Sequence, residues 1–549
     1  MSANSVVSKE KKQLRFKGEI PEKVDVAIVG AGMGGLMAGA YLSKNGYKVA
    51  CFDHHYVAGG CTTHFARGFQ GDKYHFDVGL HYIGDCGPEG AIPRLLRGVG
   101  VEIEYQELDP DGFDTLVFPD FTFKIPSNVE LYRERLIEMF PKEKKGIDRY
   151  LRLMKEVDDV GGAFEKNNNK MSLNLALKVL TSGRLLARYQ NATMAEFLDS
   201  CTNDIRLRAI LLGQHGDYAL PPSEVSVLLH LGLANHYFKG AYYPVGGGQV
   251  LSNELADVIE ANGGSIHLRC GIDKILVEDG QVVGVRTEPK RDVVHEIRAN
   301  QVICNADIKR MTTDLLDPND LPPTWVKRVE GFKMAGALFM TCLSVDTDMR
   351  EKGMRATNYW QSDHYDVEAA YQSFKENETP SLSGCYITSA TLKDPGNVHH
   401  APEGTTNIEV MSLVPGNFSK WGVKPEEIDN WDYKKNERYL DIKNALEEDS
   451  IRRLEELFPG TKEHILFKES ATPITQTRYT RASGGTSYGI SATPDQFLKQ
   501  RPGFRGPLKQ LYLCGASTRS GHGIVGAMNS GLQAARRVAK DQGKLLSEK

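Results

Sequence analysis

The sequence predicts an α/β fold: an open sheet started by a strand–turn–helix–strand unit, with a mixed α+β unit inserted into it. Three observations carry this prediction. A β-branched run near the start ends in a GxGxxG turn, a second strand and glycine-rich turn lie near the end, and two long stretches between them lack such motifs. At roughly 150 residues per domain the 549 residues suit three or four units, or two large interleaved ones.

The first element is Val24-Asp25-Val26-Ala27-Ile28-Val29, a buried-strand pattern that runs into Gly30-Ala31-Gly32-Met33-Gly34-Gly35. Residues 36–45 read as a helix closed by Gly46, and residues 48–52 as a second strand ending at Asp53. Gly30 permits the tight turn, Gly32 lets backbone N–H groups approach a pyrophosphate, and Gly35 allows close packing of helix on strand. The helix N-terminus adds partial positive charge toward phosphate. Asp53 lies at the spacing of a carboxylate that binds ribose hydroxyls, so the unit reads as dinucleotide-binding. The pair Gly59-Gly60, followed by Arg67, resembles the GG doublet of glutathione-reductase-like FAD-binding proteins. His54 and His55 are neighbours on an extended segment and project to opposite sides, so no metal site is expected there or elsewhere.

Residues 250–262 read as an amphipathic helix, 265–269 as a short strand, and 272–278 with 281–287 as a hairpin about Asp279-Gly280. Residues 302–307 form a strand-to-turn segment, 511–514 a last strand, and 523–540 a last helix. The stretches 101–239 and 311–470 carry no cofactor-type turn. The first is largely helical, with Thr193-Met194-Ala195-Glu196 as a capping box, and the second holds strand-like runs at 338–345 and 408–414. The expected division is a tail over 1–23, a discontinuous nucleotide unit over 24–100, 240–310 and 471–541, a substrate unit over 101–239 and 311–470, and a tail over 542–549.

Composition narrows the class. Basic and acidic residues number 67 and 71, giving a net charge of −4, which points away from a nucleic-acid binder and from a disordered acidic chain. No apolar run approaches the ~18–20 residues that cross a bilayer. The nine cysteines are scattered and never in a CxxC pair, which suggests a reducing, cytoplasmic setting without a disulfide framework. The polar, mildly basic first 23 residues do not read as a secretory signal. Leucine-rich residues 173–189, with Lys178, Arg184 and Arg188, are a candidate for peripheral membrane contact against the plainer reading of a core-facing helix.

Further motifs are Phe76-Asp77-Val78-Gly79-Leu80-His81-Tyr82-Ile83-Gly84, then Asn235-His236-Tyr237-Phe238-Lys239-Gly240 with Tyr243-Pro244-Val245-Gly246-Gly247. Thr472-Pro473, Arg478-Tyr479-Thr480 and Gly484-Gly485 follow. Near the end stand Tyr512-Leu513-Cys514-Gly515-Ala516-Ser517-Thr518 with Gly521, Gly523, Gly526 and Ala527. From about residue 24 to 540 this ordered series resembles the retinol saturase, carotenoid isomerase and phytoene desaturase family of flavoproteins, most closely its retinol saturase branch. The resemblance implies a glutathione-reductase-like, Rossmann-type FAD-binding domain. Gly30, Gly32, Gly34, Gly35, Asp53, Gly59, Gly60, Arg67, Ile272, Gly515, Gly523, Ile524 and Gly526 would be its cofactor residues, with the Gly271-Ile272 backbone at the adenine. The last helix would point its N-terminus beneath the flavin. His522 departs from the glycine of the family's turn and is expected to face solvent or packing.

The implied activity is hydride transfer between FAD and carbon–carbon bonds of an apolar isoprenoid (a retinoid, a carotenoid or a smaller terpene), as saturase or desaturase, with NAD(P) held open as electron donor or acceptor and the redox partner unassigned. A flavin-dependent cis–trans carotenoid isomerase is one alternative. Another, of a different class, is a non-catalytic prenyl-lipid binder like the Rab GDP-dissociation inhibitors, which share the fold. His81, Tyr82, His236 and Tyr237 are the candidate acid/base groups, each weighed against a role in holding a loop.

Overall fold

The opening segment folds as its pattern predicts because both of its faces are apolar. In the computed structural model, which describes residues 19–166 and 183–543, Lys23–Val29 is a strand. Val26 and Ile28 pack into one hydrophobic cluster, while Ala27 and Val29, on the opposite face, pack into another. Burial on both sides is what a central strand of a parallel sheet requires. Its neighbours are parallel: Val49–Phe52 on one edge, itself flanked by Ser265–His267, and Glu296–Cys304 on the other. The C-terminal half of Glu296–Cys304 also pairs in parallel with Leu511–Leu513, and its N-terminal half continues antiparallel into the hairpin Gln281–Thr287 and Ile272–Glu278. One sheet is thus assembled from strands near both ends and the middle of the sequence.

The helix after the first strand spans Met33–Lys44, three residues earlier than its apolar pattern suggests, because Gly34 and Gly35 are accommodated inside it. A Cβ on Gly35 would collide with the Gly30 carbonyl and press on Ile28 at 3.2 Å, and a Cβ on Gly531 would collide with the Gly34 carbonyl. These two glycines let the helix lie directly on its strand and let Gly523–Asp541 cross it closely.

A second, seven-stranded sheet runs in the order Ile465–Ala471, Ala337–Val345, Thr406–Val414, Gly384–Thr388, Asn358–Ser362, Asp114–Val117, Thr122–Ile125. It is antiparallel except where Asn358–Ser362 meets Asp114–Val117 in parallel, so it is mixed, as expected. The helix Glu437–Leu457 packs on Gly384–Thr388 and Thr406–Val414, while Lys144–Lys166 and Val227–Tyr237 pack against each other. Thr193 makes the predicted capping box with Glu196 at the start of Met194–Asp199.

The N-terminal tail expected over 1–23 is corrected at its end: Lys23 already pairs with Arg298, and Glu22 accepts a backbone hydrogen bond from it. Residues 1–18 and 544–549 lie outside the described residues, as does 173–182 of the candidate membrane segment; its remainder forms the short helix Arg184–Tyr189. Among the described residues no helix is long and apolar enough to cross a membrane.

Candidate active site

The turn at residues 30–35 is held from three directions. Gly30 sits at φ +97° and donates its N–H to Phe52 at 2.8 Å. The Asp53 carboxylate accepts from the Ala31 N–H through one oxygen and from the His55 N–H through the other, both at 2.8 Å. Burial alone would raise this acid; the His54 ring at 3.4 Å and the two backbone donors outweigh it and hold it below the usual carboxylate range. Gly59, at φ +134°, donates to the Ala31 carbonyl at 2.8 Å, folding the second glycine pair onto the first. The third support is Asn305, at the end of Glu296–Cys304. A Cβ on Gly32 would stand 2.9 Å from its Nδ2, and Cβ atoms on Gly34 and Gly515 would stand 2.6 and 2.8 Å from its Oδ1.

Two helix N-termini open onto the space in front of this turn. Met33–Lys44 and Gly523–Asp541 have no side-chain cap and no acidic residue in their first turns, which leaves backbone donors directed at a ligand. A cavity of about 1210 Å³ runs past both. Gly30, Gly32, Gly34, Asp53, Gly59, Gly60, Arg67, Ile272, Gly515, Gly523, Ile524 and Gly526 line it. Gly35 does not, and this corrects the expectation that it touches the cofactor: it faces Ile28 behind the turn and serves packing alone. At Gly523, φ is +74° and an added Cβ would meet nothing within 4 Å, so backbone conformation and not crowding requires glycine there. Arg67 pairs with Glu469 through both ends of its guanidinium, NH2 to Oε1 at 2.8 Å. His522 packs edge-on against Tyr488 at 5.2 Å and lines the cavity, and burial lowers its pKa to about 3, so it is a neutral imidazole.

Beyond the glycine cradle the cavity enters an aromatic chamber against the second sheet, walled by Tyr82, Tyr237, Trp360, Tyr371, Phe374 and Tyr386. All four predicted acid/base candidates reach the cavity, with different attachments. His81 has a buried Nε2 with no hydrogen-bond partner among the described residues. Burial, followed by Lys393, lowers its pKa to about 3 and keeps it neutral. His236 Nε2 accepts the Gly84 N–H at 3.0 Å, and burial lowers its pKa to about 4, so it acts as a fixed acceptor that holds a loop. Tyr82 and Tyr237 stack on each other, and both hydroxyls meet the carboxyl of Asp217.

Asp217 belongs to a polar network that sequence reasoning missed. Tyr82 OH donates to Asp217 Oδ2 at 2.8 Å and stands 3.4 Å from Asp114 Oδ2. Asp114, fully buried, accepts from Gln214 at 3.0 Å and Asn358 at 2.8 Å. Lys393, also buried, donates to the His81 carbonyl at 2.7 Å, to Thr388 at 2.5 Å and to Asn358; burial lowers its pKa to about 7. Behind it Glu409 is raised to about 8 by burial and then by Asp77, which accepts from Tyr243 OH. These residues come from separate elements, and no spacing in the sequence links them.

His64, His75 and His399 place ring nitrogens within 4.8 Å of one another. The rings of His75 and His399 are stacked at 4.2 Å and 14°, and His75 Nδ1 bonds the His399 carbonyl at 2.5 Å. Lone pairs lie in the ring plane, so two stacked imidazoles do not converge on one ion, and the cluster packs a hairpin instead.

Comparisons with known proteins agree with this geometry. A model of NAD(P)-binding Rossmann-like domains matches residues 28–99, and a model of flavin-containing amine oxidoreductases matches residues 443–539. The chain is 27% identical over 543 residues to an all-trans-retinol 13,14-reductase of Danio rerio, covering 95% of this chain and 87% of that protein. It is 25% identical over 542 residues to prolycopene isomerase 1 of an Oncidium hybrid cultivar, covering 96% and 86%. Along almost its whole length the chain is thus similar to retinol saturases and carotenoid isomerases, and it is a flavin-dependent oxidoreductase. A solved oxidoreductase from Methanosarcina mazei shares the fold of this flavoprotein, with a TM-score of 0.58 at 19% identity, covering 94% of this chain and all of the other. FAD is the flavoprotein's cofactor, and the cradle suits it. The turn at Gly30–Gly34 and the first helix would hold the diphosphate, and the N-terminus of the last helix the isoalloxazine. Asp53 keeps lone pairs for ribose hydroxyls beyond the two it gives to the backbone.

Proposed function

We propose that this flavoprotein is an oxidoreductase of carbon–carbon bonds, working as a saturase or desaturase on an apolar isoprenoid of retinoid or carotenoid type. The observation that carries the reading is the continuity of one cavity from the glycine cradle to the aromatic chamber, which brings a redox ring and a polyene-sized apolar space together. Bound FAD supplies two-electron hydride chemistry there. The chain's own share is to bind and orient. Tyr82, Tyr237, Trp360 and Tyr386 offer flat apolar faces to a conjugated chain, which would displace water from the chamber on binding. Likeness to a retinol reductase along almost the whole chain supports this substrate class.

The experiment supplies all-trans-retinol or a carotene, anaerobically, to the yellow holoprotein reduced with dithionite. A product two mass units heavier, formed as the flavin absorbance returns, is the expected result. Unchanged mass with altered cis–trans geometry supports the isomerase reading, which likeness to a prolycopene isomerase favours. A colourless protein that cannot be loaded with FAD overturns both.

A further inference from the structure

Resting on the saturase reading, we infer that Asp217 is the acid that gives its proton to the substrate carbon, with Tyr82 and Tyr237 as the residues that position it. Asp217 ends the short turn His215–Asp217 and lines the cavity, so its partial exposure is to that internal space. Tyr82 OH grips its Oδ2 at 2.8 Å, and Tyr237 bonds the same carboxyl. The His522 ring, at the start of Gly523–Asp541, bonds the Asp217 backbone, and Tyr488 OH donates to the adjacent Gly216 carbonyl at 2.9 Å. The carboxyl is thereby fixed on the boundary between the cofactor cradle and the aromatic chamber, where a reacting double bond has to lie.

A second carboxylate explains why Asp217 holds a proton. Asp114 stands behind Tyr82 with two amide donors of its own and does not line the cavity. Two carboxyls that share one phenol do not both ionise at low cost. The amides of Gln214 and Asn358, and the charge of Lys393, favour the anion on Asp114, so the proton is left on the cavity side. Burial, then the neighbouring charge of Asp114, raises Asp217 well above the usual carboxylate range. The other groups facing Asp217 are the phenols of Tyr218, Tyr386 and Tyr488 and the neutral His522, none of which competes for the charge.

The proton step balances. Bound reduced FAD would supply a hydride to one alkene carbon, leaving the π pair on its neighbour. A C–H bond forms there as the Asp217 O–H bond breaks, and the carboxylate regains its proton from water. In the direction of desaturation the same carboxylate receives the proton.

The test uses holoenzyme carrying Asp217→Asn, with Asp217→Glu as the variant that restores an acid. Flavin absorbance and melting temperature check that each variant folds and keeps FAD. Asp217→Asn is expected to lower kcat ~100- to 10,000-fold with little change in KM, and to erase one ionisation near neutrality from the pH profile. Asp217→Glu recovers part of both. Independently of turnover, infrared difference spectra of the wild type between acid and alkaline pH show a carboxylic C=O band that shifts in D2O and is missing from Asp217→Asn. Turnover of Asp217→Asn within about threefold of wild type overturns the proposal, as does a wild-type spectrum without the band. If the wild type converts no polyene, the saturase reading fails on its own account, and Asp217 stands or falls on the band.

Discussion

The phenol rings of Tyr82 and Tyr237 stack with centroids 4.3 Å apart and planes 4° from parallel. One follows the strand Asp72–Asp77, and the other ends the helix Val227–Tyr237, so the stack fastens the cofactor side of the molecule to the helical layer of the other. It also delivers two hydroxyls to one carboxyl, which ties packing to acid strength.

Tyr82→Phe keeps the stack and removes a hydrogen bond that favours ionised Asp217. The acid therefore titrates higher. Saturase activity, which needs the protonated form, falls as pH rises through the acid's value of about 7 in the wild type. In Tyr82→Phe this alkaline limb moves to higher pH. A kcat–pH profile of each holoenzyme checks it; an unmoved limb contradicts the role given to Tyr82.

Gly32→Val places a branched side chain where even a Cβ lies 2.9 Å from Asn305 Nδ2, at the mouth of the first helix. FAD affinity is expected to fall at least about tenfold, roughly 1.4 kcal/mol or more, while far-ultraviolet circular dichroism stays that of the wild type. Flavin content after dialysis measures the loss.

His236→Phe deprives the Gly84 N–H of its acceptor. A buried donor left unpaired costs about 1–3 kcal/mol, read as a lower denaturation midpoint. The shape of the pH profile should not change, because His236 is neutral across the working range. Loss of a limb from that profile would return His236 to the list of acids and bases.

Arg453 is almost fully buried and holds Asp363 through two bonds of 2.6 and 2.8 Å, with Asp449 at 3.2 Å. Asp363→Asn should destabilise by about 1–3 kcal/mol, less than a fully buried pair would lose, because the Asp363 side chain is 44% exposed and screened. Arg453 lowers the pKa of Asp363 in the folded protein. The wild-type advantage is therefore complete above the unfolded value of about 4 and shrinks as pH falls through the lower folded one. Urea midpoints of both proteins at neutral and acid pH test the sign.

The cradle was legible because its signals are local: the glycines of 30–35, the acid at 53, the hairpin about Asp279-Gly280 and the last strand and helix each occupy a few consecutive residues. Tyr82 and Tyr237 were legible only as members of motifs. Their partner Asp217 was not, because a carboxyl becomes an acid of this strength through burial and through Asp114, which reaches it from a strand of the second sheet about a hundred residues earlier in the chain. Lys393 and Glu409 escaped notice for the same reason; nothing within their own segments marks an ammonium or a carboxyl as buried. Gly35 takes the helix-on-strand packing role that its place in the motif predicts and not the cofactor contact that the resemblance implied, since membership of the turn does not say which side of it a glycine faces.

Asn305 touches the start of the first helix and the turn at Gly515, and Leu511–Leu513 closes a sheet begun at Lys23. A ribosome making this chain therefore releases the turn at residues 30–35 hundreds of residues before the piece that completes its pocket, and until Gly523–Asp541 docks the nascent polypeptide has only half a clasp.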